Sequence, residues 1–416
     1  MAALAACRDI VIRSGLFQVV NYTQFLAGSP HIWTLADMRK TIYLALLVPL
    51  GFVLSTGLAA GSGNGQIGIY HWGGQYAQSV SQGVAAVSAL GGQVVRISLS
   101  ARFYRDYNMG TDCLPGFTLT GGAQDPDVVR ALADPAIDAV MITAFDGTSY
   151  GDCQHTRFLD PEFFTPLNTA ALRKEYADLT LYLYRKYRRT RKRFIISDWE
   201  SDNAIYCGNA YNFALVDQFR SLCLAQYRSQ YGVASPAQAF EGLRLWLDAR
   251  AQGIRDGRAR ARAEGIRGAR VYHAPEFNIV RALNDNGFES VLYDVLPWAE
   301  FDYVSYSAWE SINTADPAGT LRVDLDTIRN VTGANQIIIG ETGFRRTAWP
   351  EQDVTRTSDV ISAALGWGVA YIIQWNLYDT DAQNQFGLYN LQGQPTPLAA
   401  WFRSVFQSIP AVPPAP

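Results

Sequence analysis

The sequence contains few residues of the kind that bind metal ions. Only four histidines occur in 416 residues, namely His31, His71, His155 and His273. None of them stands at the HxH or HExxH spacing by which two histidines share one zinc ion. We therefore expect neither a metallohydrolase nor a requirement for a metal or an organic cofactor.

The sequence also lacks a strong excess of charge of either sign. It has 35 Lys and Arg against 38 Asp and Glu, a net charge of -3, which is ordinary for a globular protein with a large core. A basic stretch, RDGRARARAEGIRGAR at residues 255–270, carries Asp256 and Glu264 at helical spacing among its arginines. We interpret it as a solvated, partly paired helix face and expect no nucleic-acid partner.

The amino-terminal region contains the features of a secretory signal. A basic segment at residues 38–40 precedes an apolar run at residues 42–54 and small residues at 55–63, the order found in signal peptides. We expect translation from Met38, a signal peptide at residues 38–60 cleaved near Ala59 or Ala60, and a secreted or periplasmic protein. Residues 1–37 lack this pattern, and we interpret them as a non-native upstream extension.

An amino-terminal membrane anchor is the alternative interpretation of the same apolar run. The run is short for a span and contains Pro49 and Gly51. We therefore favour cleavage and expect no stable membrane association afterwards. No cysteine stands among the small residues directly after the run, so a lipoprotein anchor is not indicated.

Cysteines are scarce, and four of the five, Cys113, Cys153, Cys207 and Cys223, follow the predicted leader. An even number fits an oxidising compartment. Cys113 and Cys153 lie in loops after the second and third predicted strands, which are neighbours on one face of a barrel, and we predict a disulfide between them. Cys223 lies in a helical pattern, where a buried thiol and a disulfide both remain open.

From residue 65 onward, short apolar runs alternate with longer segments of helical period, which indicates βα units and a parallel sheet. The predicted strands are residues 66–72, 93–100, 138–145, 193–200, 270–277, 301–309, 336–341 and 370–379. Two helical segments between residues 212 and 264 form a long insertion after the fourth strand. We predict one (β/α)8 TIM barrel over residues 65–408, followed by a proline-rich tail at 409–416.

Two of these strands end in a glutamate. The seventh, QIIIGE, ends at Glu341, and the fourth, RFIISDWE, ends at Glu200. Unbroken apolar runs are typical of strands buried on both faces, and parallel sheets place their chemistry at the carboxyl ends of such strands. We therefore treat both glutamates as functional candidates, although Glu341 could instead pair with Arg345 or Arg346.

Other polar and aromatic residues lie on or near the ends of the strands. They are Arg96, Asp198, Trp199, Asn203, His273, Glu276, Tyr306, Trp309 and Trp375. Sugars present hydroxyl groups and apolar C–H faces, so acids and flat rings are the groups that a carbohydrate site needs. The 10 tryptophans and 22 tyrosines also exceed what a core usually requires, which favours an aromatic cleft. We expect an oligo- or polysaccharide substrate.

A barrel with a glutamate ending its fourth strand, another ending its seventh and a tryptophan ending its eighth resembles the retaining (β/α)8 glycoside hydrolases of clan A, the cellulase and β-galactosidase superfamily. The resemblance covers the predicted exported chain in architecture but only short motifs in sequence. It implies that Glu200 is the acid/base, Glu341 the nucleophile and Trp375 a platform under the sugar. It further implies that Arg96 supports the nucleophile and that Tyr306 hydrogen-bonds it.

Trp199 departs from the family pattern, which has asparagine directly before the fourth-strand glutamate to hold the sugar 2-hydroxyl. Either Asp198 or Asn203 takes that role, or the acid lies elsewhere. Glu276, at the end of HAPE, is the rival acid. Glu200 fits better, because an apolar neighbour and nearby acids both raise a carboxyl pKa.

Structural roles remain open for several of these residues. Arg96 could be a core arginine paired with Glu341, Trp375 could pack the barrel, and His273 fits a hydrogen-bonded core or supporting residue better than a base. The sequence therefore predicts an exported glycosidase that acts by double displacement with two glutamates. A catalytically inactive carbohydrate-binding TIM barrel is the alternative, since one fold serves many functions.

Overall fold

Strands occur at all eight predicted positions. The computed structural model describes residues 64–73, 78–110, 113–150, 157–349 and 352–408. Its strands are β1 (Ile67–Tyr70), β2 (Val94–Leu99), β3 (Ala139–Ala144), β4 (Arg193–Ser197), β5 (Arg270–Ala274), β6 (Glu276–Phe277), β7 (Val304–Ser307), β8 (Ile337–Thr342) and β9 (Tyr371–Gln374). The pairings between neighbouring strands are all parallel.

The fifth predicted strand is divided at Pro275 into β5 and β6. Proline has no N–H for a strand ladder, so a strand tends to be interrupted there. The sheet order is β5-β4-β3-β2-β1-β9-β8-β7-β6, with β5 on β4 and β6 on β7. Because the two outermost strands are consecutive in sequence, the sheet closes into a barrel, and the predicted TIM-barrel fold is confirmed.

Helices surround the barrel. The described α-helices are Val80–Ala89, Phe103–Asp106, Leu119–Ala123, Pro126–Ala133, Gly147–Tyr150, Pro166–Lys186, Ser201–Ile205, Ala210–Leu215, Asp217–Tyr231, Pro236–Ala263, Ala282–Asp285, Trp309–Ile312, Pro317–Thr332, Asp353–Trp367 and Pro397–Ser408. The four from Ser201–Ile205 to Pro236–Ala263 lie between β4 and β5, so the predicted helical insertion is present.

Local sequence sets the boundary between the two long helices of the insertion. The helix Asp217–Tyr231 ends at Gly232, whose φ of 77° lies in the left-handed region that costs glycine little. Ser235 then accepts a hydrogen bond from the Gln238 N–H, and Pro236 occupies the first turn, where no N–H is needed. The 28-residue helix Pro236–Ala263 packs along Pro166–Lys186.

Buried side chains form two layers, one on each face of the sheet. The inner layer fills the barrel with Tyr70, Val94, Ala139, Met141, Ile195, Ala274, Ile338, Tyr371 and Ile373. The outer layer lies between sheet and helices. In β8, Ile338 belongs to the inner layer, whereas Ile337 and Ile339 belong to the outer one, as the alternation of side chains along a strand requires. Both faces are apolar, which explains the unbroken apolar runs.

One disulfide joins Cys207 to Cys223, with a Cα–Cα distance of 5.8 Å. It settles the open alternative for Cys223, which is not a free thiol. Cys113 is also disulfide-bonded, but Cys153 lies outside the described residues, so the predicted pairing of these two stays a prediction.

The signal peptide, the upstream extension and the proline-rich tail also fall outside the described residues. Among the described helices, none combines the length and hydrophobicity needed to cross a membrane.

Candidate active site

Three buried glutamates and one buried arginine meet at the carboxyl end of the barrel. Arg96 lies on β2 and Glu276 on β6, and both side chains are 0% exposed. Glu341 lies on β8, and Glu200 is the third residue after β4. Parallel strands of a barrel end on the same face, so residues distant in sequence converge there.

Arg96 forms a two-point ion pair with Glu276. Its Nη1 donates to Oε2 of Glu276 at 2.8 Å, and its Nη2 donates to Oε1 at 2.9 Å. Its other three N–H groups donate to the Gly340 carbonyl (2.9 Å), the Asp198 carbonyl (3.0 Å) and Thr143 Oγ1 (2.8 Å). A guanidinium has five N–H donors, so all five are used.

Glu341 therefore interacts with Arg96 electrostatically, without a hydrogen bond between them. Its Oε1 lies 3.5 Å from Arg96 Nη1 and accepts no hydrogen bond from a described residue. Its Oε2 accepts a long bond, 3.3 Å, from Trp309 Nε1. Burial raises the pKa of Glu341 to about 8, opposed by the charge of Arg96 and the Trp309 bond and assisted by the charge of Glu276.

Glu200 has a different environment. It precedes the helix Ser201–Ile205 with a positive φ of 28°, and its side chain is 3% exposed. Oε2 accepts a 2.5 Å hydrogen bond from Asn203 Nδ2, whereas Oε1 is buried and has no partner among the residues that the structure describes. Burial, then the charges of Glu341 and Glu276, raise the pKa of Glu200 well above its usual value. The carboxyl group is thus suited to remain protonated.

Glu276 has no room for a substrate contact. Besides Arg96, its oxygens accept hydrogen bonds from Ser305 Oγ at 2.7 Å, Ser307 Oγ at 3.3 Å and the Glu200 N–H at 3.4 Å. With both oxygens occupied and no exposed surface, it cannot reach a glycosidic oxygen. The predictions of Glu276 as a rival acid or as a sugar ligand are therefore corrected.

Aromatic rings lie beside the carboxylates. Trp375 follows β9 and contacts Tyr70 edge-on, at a centroid distance of 5.0 Å, and Trp72 at 5.4 Å. Trp309 packs against Phe386 at 5.5 Å. Trp375 and Trp309 are only partly buried, so each leaves ring surface for a ligand.

Solved structures share this barrel, although no protein-family model and no curated protein matches the chain. An AHE enzyme from Alicyclobacillus herbarius aligns with a TM-score of 0.54 and 11% identity, over 84% of this chain and 98% of its own. The family 1 β-glucosidase from Thermotoga maritima aligns at 0.52 and 11%, over 84% and 98%. A GH5_18 protein from Bifidobacterium longum aligns at 0.50 and 12%, over 84% and 81%.

The chain shares its (β/α)8 barrel with these proteins. At such low identity the likeness establishes the fold, and it confirms the architecture that the strand-end pattern predicted. The chemistry that this barrel performs depends on the residues at its carboxyl end.

Tyr306 does not occupy the place that the clan A pattern implied. Its hydroxyl shares a 2.7 Å hydrogen bond with Ser311 Oγ, and its ring stacks on Phe277 in the outer layer. Its neighbours Ser305 and Ser307 face Glu276 instead, because successive side chains of a strand alternate. The prediction that Tyr306 binds the nucleophile is wrong, and the indole N–H of Trp309 contacts Glu341 instead.

Asp198 and His273 also lie below the site rather than in it. Asp198 is buried and accepts hydrogen bonds from Arg250 Nη1 (3.0 Å), the Glu276 N–H (3.1 Å) and Ser201 Oγ (2.6 Å). His273 donates from Nδ1 to the Glu300 carbonyl at 2.9 Å, and burial holds its pKa well below the usual value. Both residues are almost fully buried, and their contacts favour supporting roles over the predicted contacts with a sugar, as already considered for His273.

Asn203 and Trp199 lie next to the predicted acid. The Asn203 side chain donates to Glu200 and accepts from the Ala210 N–H at 2.8 Å, which fixes its amide. Trp199 is partly buried. Asn203 therefore orients the acid, and whether it also holds a 2-hydroxyl stays a prediction.

Sequence reasoning missed the residues that hold the charged groups in place. Thr143, Ser305 and Ser307 bind Arg96 or Glu276, and Arg250 binds Asp198. The one available signal was the pair of serines two residues apart in FDYVSYSAW, which marks a polar inner face on an otherwise apolar strand.

Gly340 provides the space in which Arg96 and Glu276 meet. A Cβ at this position would clash with Glu276 Oε2 and Ser305 Oγ and would lie 3.0 Å from Arg96 Nη1. We expect Gly340→Ala to lower the free energy of unfolding by about 1–3 kcal/mol, measured by chemical denaturation. The control is Gly366→Ala, in the exposed part of a helix with no atom within 4 Å of the new Cβ, which should be neutral or stabilise by about 0.5–1 kcal/mol. Equal effects of both would contradict this explanation.

Proposed function

We propose that this chain is a retaining glycoside hydrolase that uses Glu341 as nucleophile and Glu200 as acid/base. The observation that carries the proposal is the contrast between two neighbouring buried carboxyl groups. Each has one buried oxygen without a hydrogen-bond partner among the described residues, but Glu341 lies 3.5 Å from the Arg96 guanidinium, whereas Glu200 forms no ion pair with a described residue and has the more strongly raised pKa. Carboxyl groups whose environments separate their pKa values are suited to opposite roles.

The first step requires Glu341 ionised and Glu200 protonated. Because the two groups interact, they titrate as a pair, and the positive charge of Arg96 favours ionisation of the nearer Glu341. The Glu341 carboxylate attacks the anomeric carbon while Glu200 gives its proton to the leaving oxygen, which yields a glycosyl ester.

The second step reverses these roles. Glu200, now a carboxylate, takes a proton from water as the water attacks the anomeric carbon, and the ester bond to Glu341 breaks. The configuration at the anomeric carbon is retained after two inversions, and both glutamates return to their starting protonation states. The step draws on no metal or organic cofactor.

A sugar substrate is supported by the half-buried rings of Trp309 and Trp375 beside the glutamates, since such rings stack on the apolar faces of sugars. Among the proteins with this fold are the β-glucosidase of Thermotoga maritima and a GH5_18 protein of Streptomyces cattleya solved with Manβ1-4GlcNAc. We therefore propose β-linked oligo- or polysaccharides as the first compounds to test.

A burst experiment with activated aryl β-glycosides tests the proposal. Rapid release of about one equivalent of the aryl alcohol, followed by slower turnover, is expected if a glycosyl ester accumulates. A glycan array run on the same protein distinguishes the inactive alternative. Binding of glycans without hydrolysis of any of them would refute the enzyme and favour a carbohydrate-binding barrel.

In the pH profile of kcat/KM, we expect the acid limb to lie at an unusually high pH. Glu341 must be ionised to attack, and its pKa is raised to about 8, so activity should rise as pH increases towards that value. Glu200 must be protonated in the same step, and burial with the charges of Glu341 and Glu276 raises its pKa well above the usual value, so loss of this proton forms the alkaline limb. We therefore expect an optimum on the alkaline side of neutrality, measured from about pH 4 to about pH 10. An optimum near pH 5 would contradict the assignment.

We also propose that the protein is exported. The disulfide between Cys207 and Cys223 supports this, because disulfides persist in oxidising compartments. We expect exported protein to begin between Gly57 and Gly63, where small residues follow the apolar run, and amino-terminal sequencing measures it. Peptides from residues 1–37 in the exported form would contradict the start at Met38, and a retained apolar run in membrane fractions would favour the anchor.

A further inference from the structure

Glu276 is the one glutamate of the site that is excluded from the chemistry, yet it is the most tightly bound. Five donors surround its two oxygens: two N–H groups of Arg96, the hydroxyls of Ser305 and Ser307, and the Glu200 N–H. Gly340 leaves the room for this arrangement. A carboxylate held this way cannot rotate to meet a ligand, but it fixes the position of everything that it binds.

The residue that Glu276 holds most firmly in place is Arg96. Glu276 accepts hydrogen bonds from two of the five guanidinium N–H groups, and three backbone or hydroxyl oxygens accept those of the others. Glu341, only 3.5 Å away, is left without a hydrogen bond from the guanidinium. Without Glu276, the two freed N–H groups would have Glu341 as the nearest carboxylate, since Arg–carboxylate pairs prefer two parallel hydrogen bonds.

We propose that Glu276 is a positioning residue that keeps Arg96 from hydrogen-bonding the Glu341 carboxylate, so that Glu341 feels the positive charge while its lone pairs stay free to attack. The inference rests on the proposed function for its catalytic meaning, but the contact itself does not depend on it. A carboxylate tied to a guanidinium by two hydrogen bonds is a weaker nucleophile, because those bonds stabilise the charge that attack must consume.

In the part of the chain that the structure describes, five groups face Glu341. They are Arg96 from β2, Glu276 from β6, Glu200 after β4, Tyr70 from β1 and the indole N–H of Trp309. Tyr70 is held by Thr143 at 3.3 Å and lies against Arg96, and burial raises its pKa far above neutrality, so it stays uncharged. The charge of Glu276 raises the pKa of both Glu341 and Glu200.

Glu276→Gln tests the proposal, because it removes the charge and keeps the shape. In protein labelled with ¹³C at the glutamate carboxyls, and without substrate, the Glu341 resonance should titrate at lower pH than in the wild type, by about one unit. The resonance is assigned by its loss in Glu341→Gln. In turnover, kcat should fall about tenfold to a hundredfold with KM little changed, and both limbs of the pH profile should move to lower pH.

The matched control is Glu175→Gln. Glu175 is also a buried glutamate bound by backbone N–H groups, those of Leu119, Gly147 and Thr148, and none of its contacts involves the site. This variant should lose stability without moving the Glu341 titration or the pH profile. Glu276→Asp keeps the charge but shortens its reach, so it should give a Glu341 midpoint and a kcat between those of the wild type and Glu276→Gln.

An unchanged Glu341 midpoint in folded Glu276→Gln would overturn the proposal. If that variant does not fold, a wild-type midpoint in Glu276→Asp would overturn it equally. The proposed function fails separately: a wild type that hydrolyses no glycoside refutes the enzyme, whereas the carboxyl titration, which needs no substrate, still decides how Glu276 and Arg96 act on Glu341.

Discussion

Glu341→Gln is expected to lower the turnover of an aryl glycoside by a factor of about 10⁴ or more. The amide has no negative charge with which to attack the anomeric carbon, so the first bond to the enzyme cannot form. Folding should be retained, because within the described ranges Glu341 accepts one long hydrogen bond, from Trp309 at 3.3 Å, and its Oε1 accepts none. Removing a buried, poorly solvated carboxylate should even stabilise the protein at alkaline pH, where the raised pKa of Glu341 makes its ionisation costly.

A 2-deoxy-2-fluoro glycoside with a good leaving group identifies the nucleophile directly. The fluorine slows both steps, so the glycosyl ester accumulates and can be mapped by peptide mass spectrometry. We expect one labelled peptide, carrying the sugar on Glu341, and no label in Glu341→Gln. Glu175→Gln, which lies outside the site, should be labelled as fast as the wild type. Label on any other carboxylate would assign the nucleophile elsewhere.

The fold was predictable because its strands are short apolar runs, separated by segments whose apolar residues repeat with the period of a helix. Ile337, Ile338 and Ile339 are all buried, and such a run indicates a strand covered on both faces. The break at Pro275 was not predicted, although proline removes a ladder hydrogen bond. It changes the strand count to nine segments without changing the barrel, because β5 and β6 continue one another.

For the candidate site, the sequence predicted which strand ends carry the polar residues but not which face of the sheet each side chain occupies. Glu200, Arg96 and Glu341 converge as their strand ends implied. Tyr306 and His273 were misplaced because a strand that is apolar on both faces carries no alternation to show which residues point inward. A shift of one residue exchanges the two faces, and only Ser305 and Ser307 indicated the true phase of β7.

The partners of the charged groups could not be predicted at all. Arg96 binds Glu276 and the Gly340 carbonyl across 180 and 244 residues of sequence, and no local pattern encodes such pairings. Glu276 looked like a rival acid because its position at a strand end was known and its hydrogen bonds were not. A strand-end carboxylate can therefore be catalytic or supporting, and the number of donors around it distinguishes the two roles.

Glu200→Ala is expected to lose activity by about 10²–10⁴-fold on substrates with poor leaving groups. With aryl glycosides that carry good leaving groups, the rate of the first step should fall less, because such groups depart without being protonated. The glycosyl ester on Glu341 should then persist, since water no longer has a general base. Azide needs no such base, and the space left by the alanine side chain gives it access, so added azide should restore turnover and yield a glycosyl azide of retained configuration.

The same azide assay on Glu276→Ala distinguishes the role of Glu276 from that of Glu200. Its carboxylate is enclosed by five donors and has no exposed surface, so its loss should weaken folding and the placement of Arg96 rather than remove a proton donor. Azide should therefore leave this variant unchanged, and no glycosyl azide should form. Rescue of Glu276→Ala together with no rescue of Glu200→Ala would exchange their roles. The glycosyl azide distinguishes a missing acid/base from misfolding. A misfolded variant cannot form this product, whereas a variant that lacks only the acid/base keeps the nucleophile and the sugar site that its formation requires.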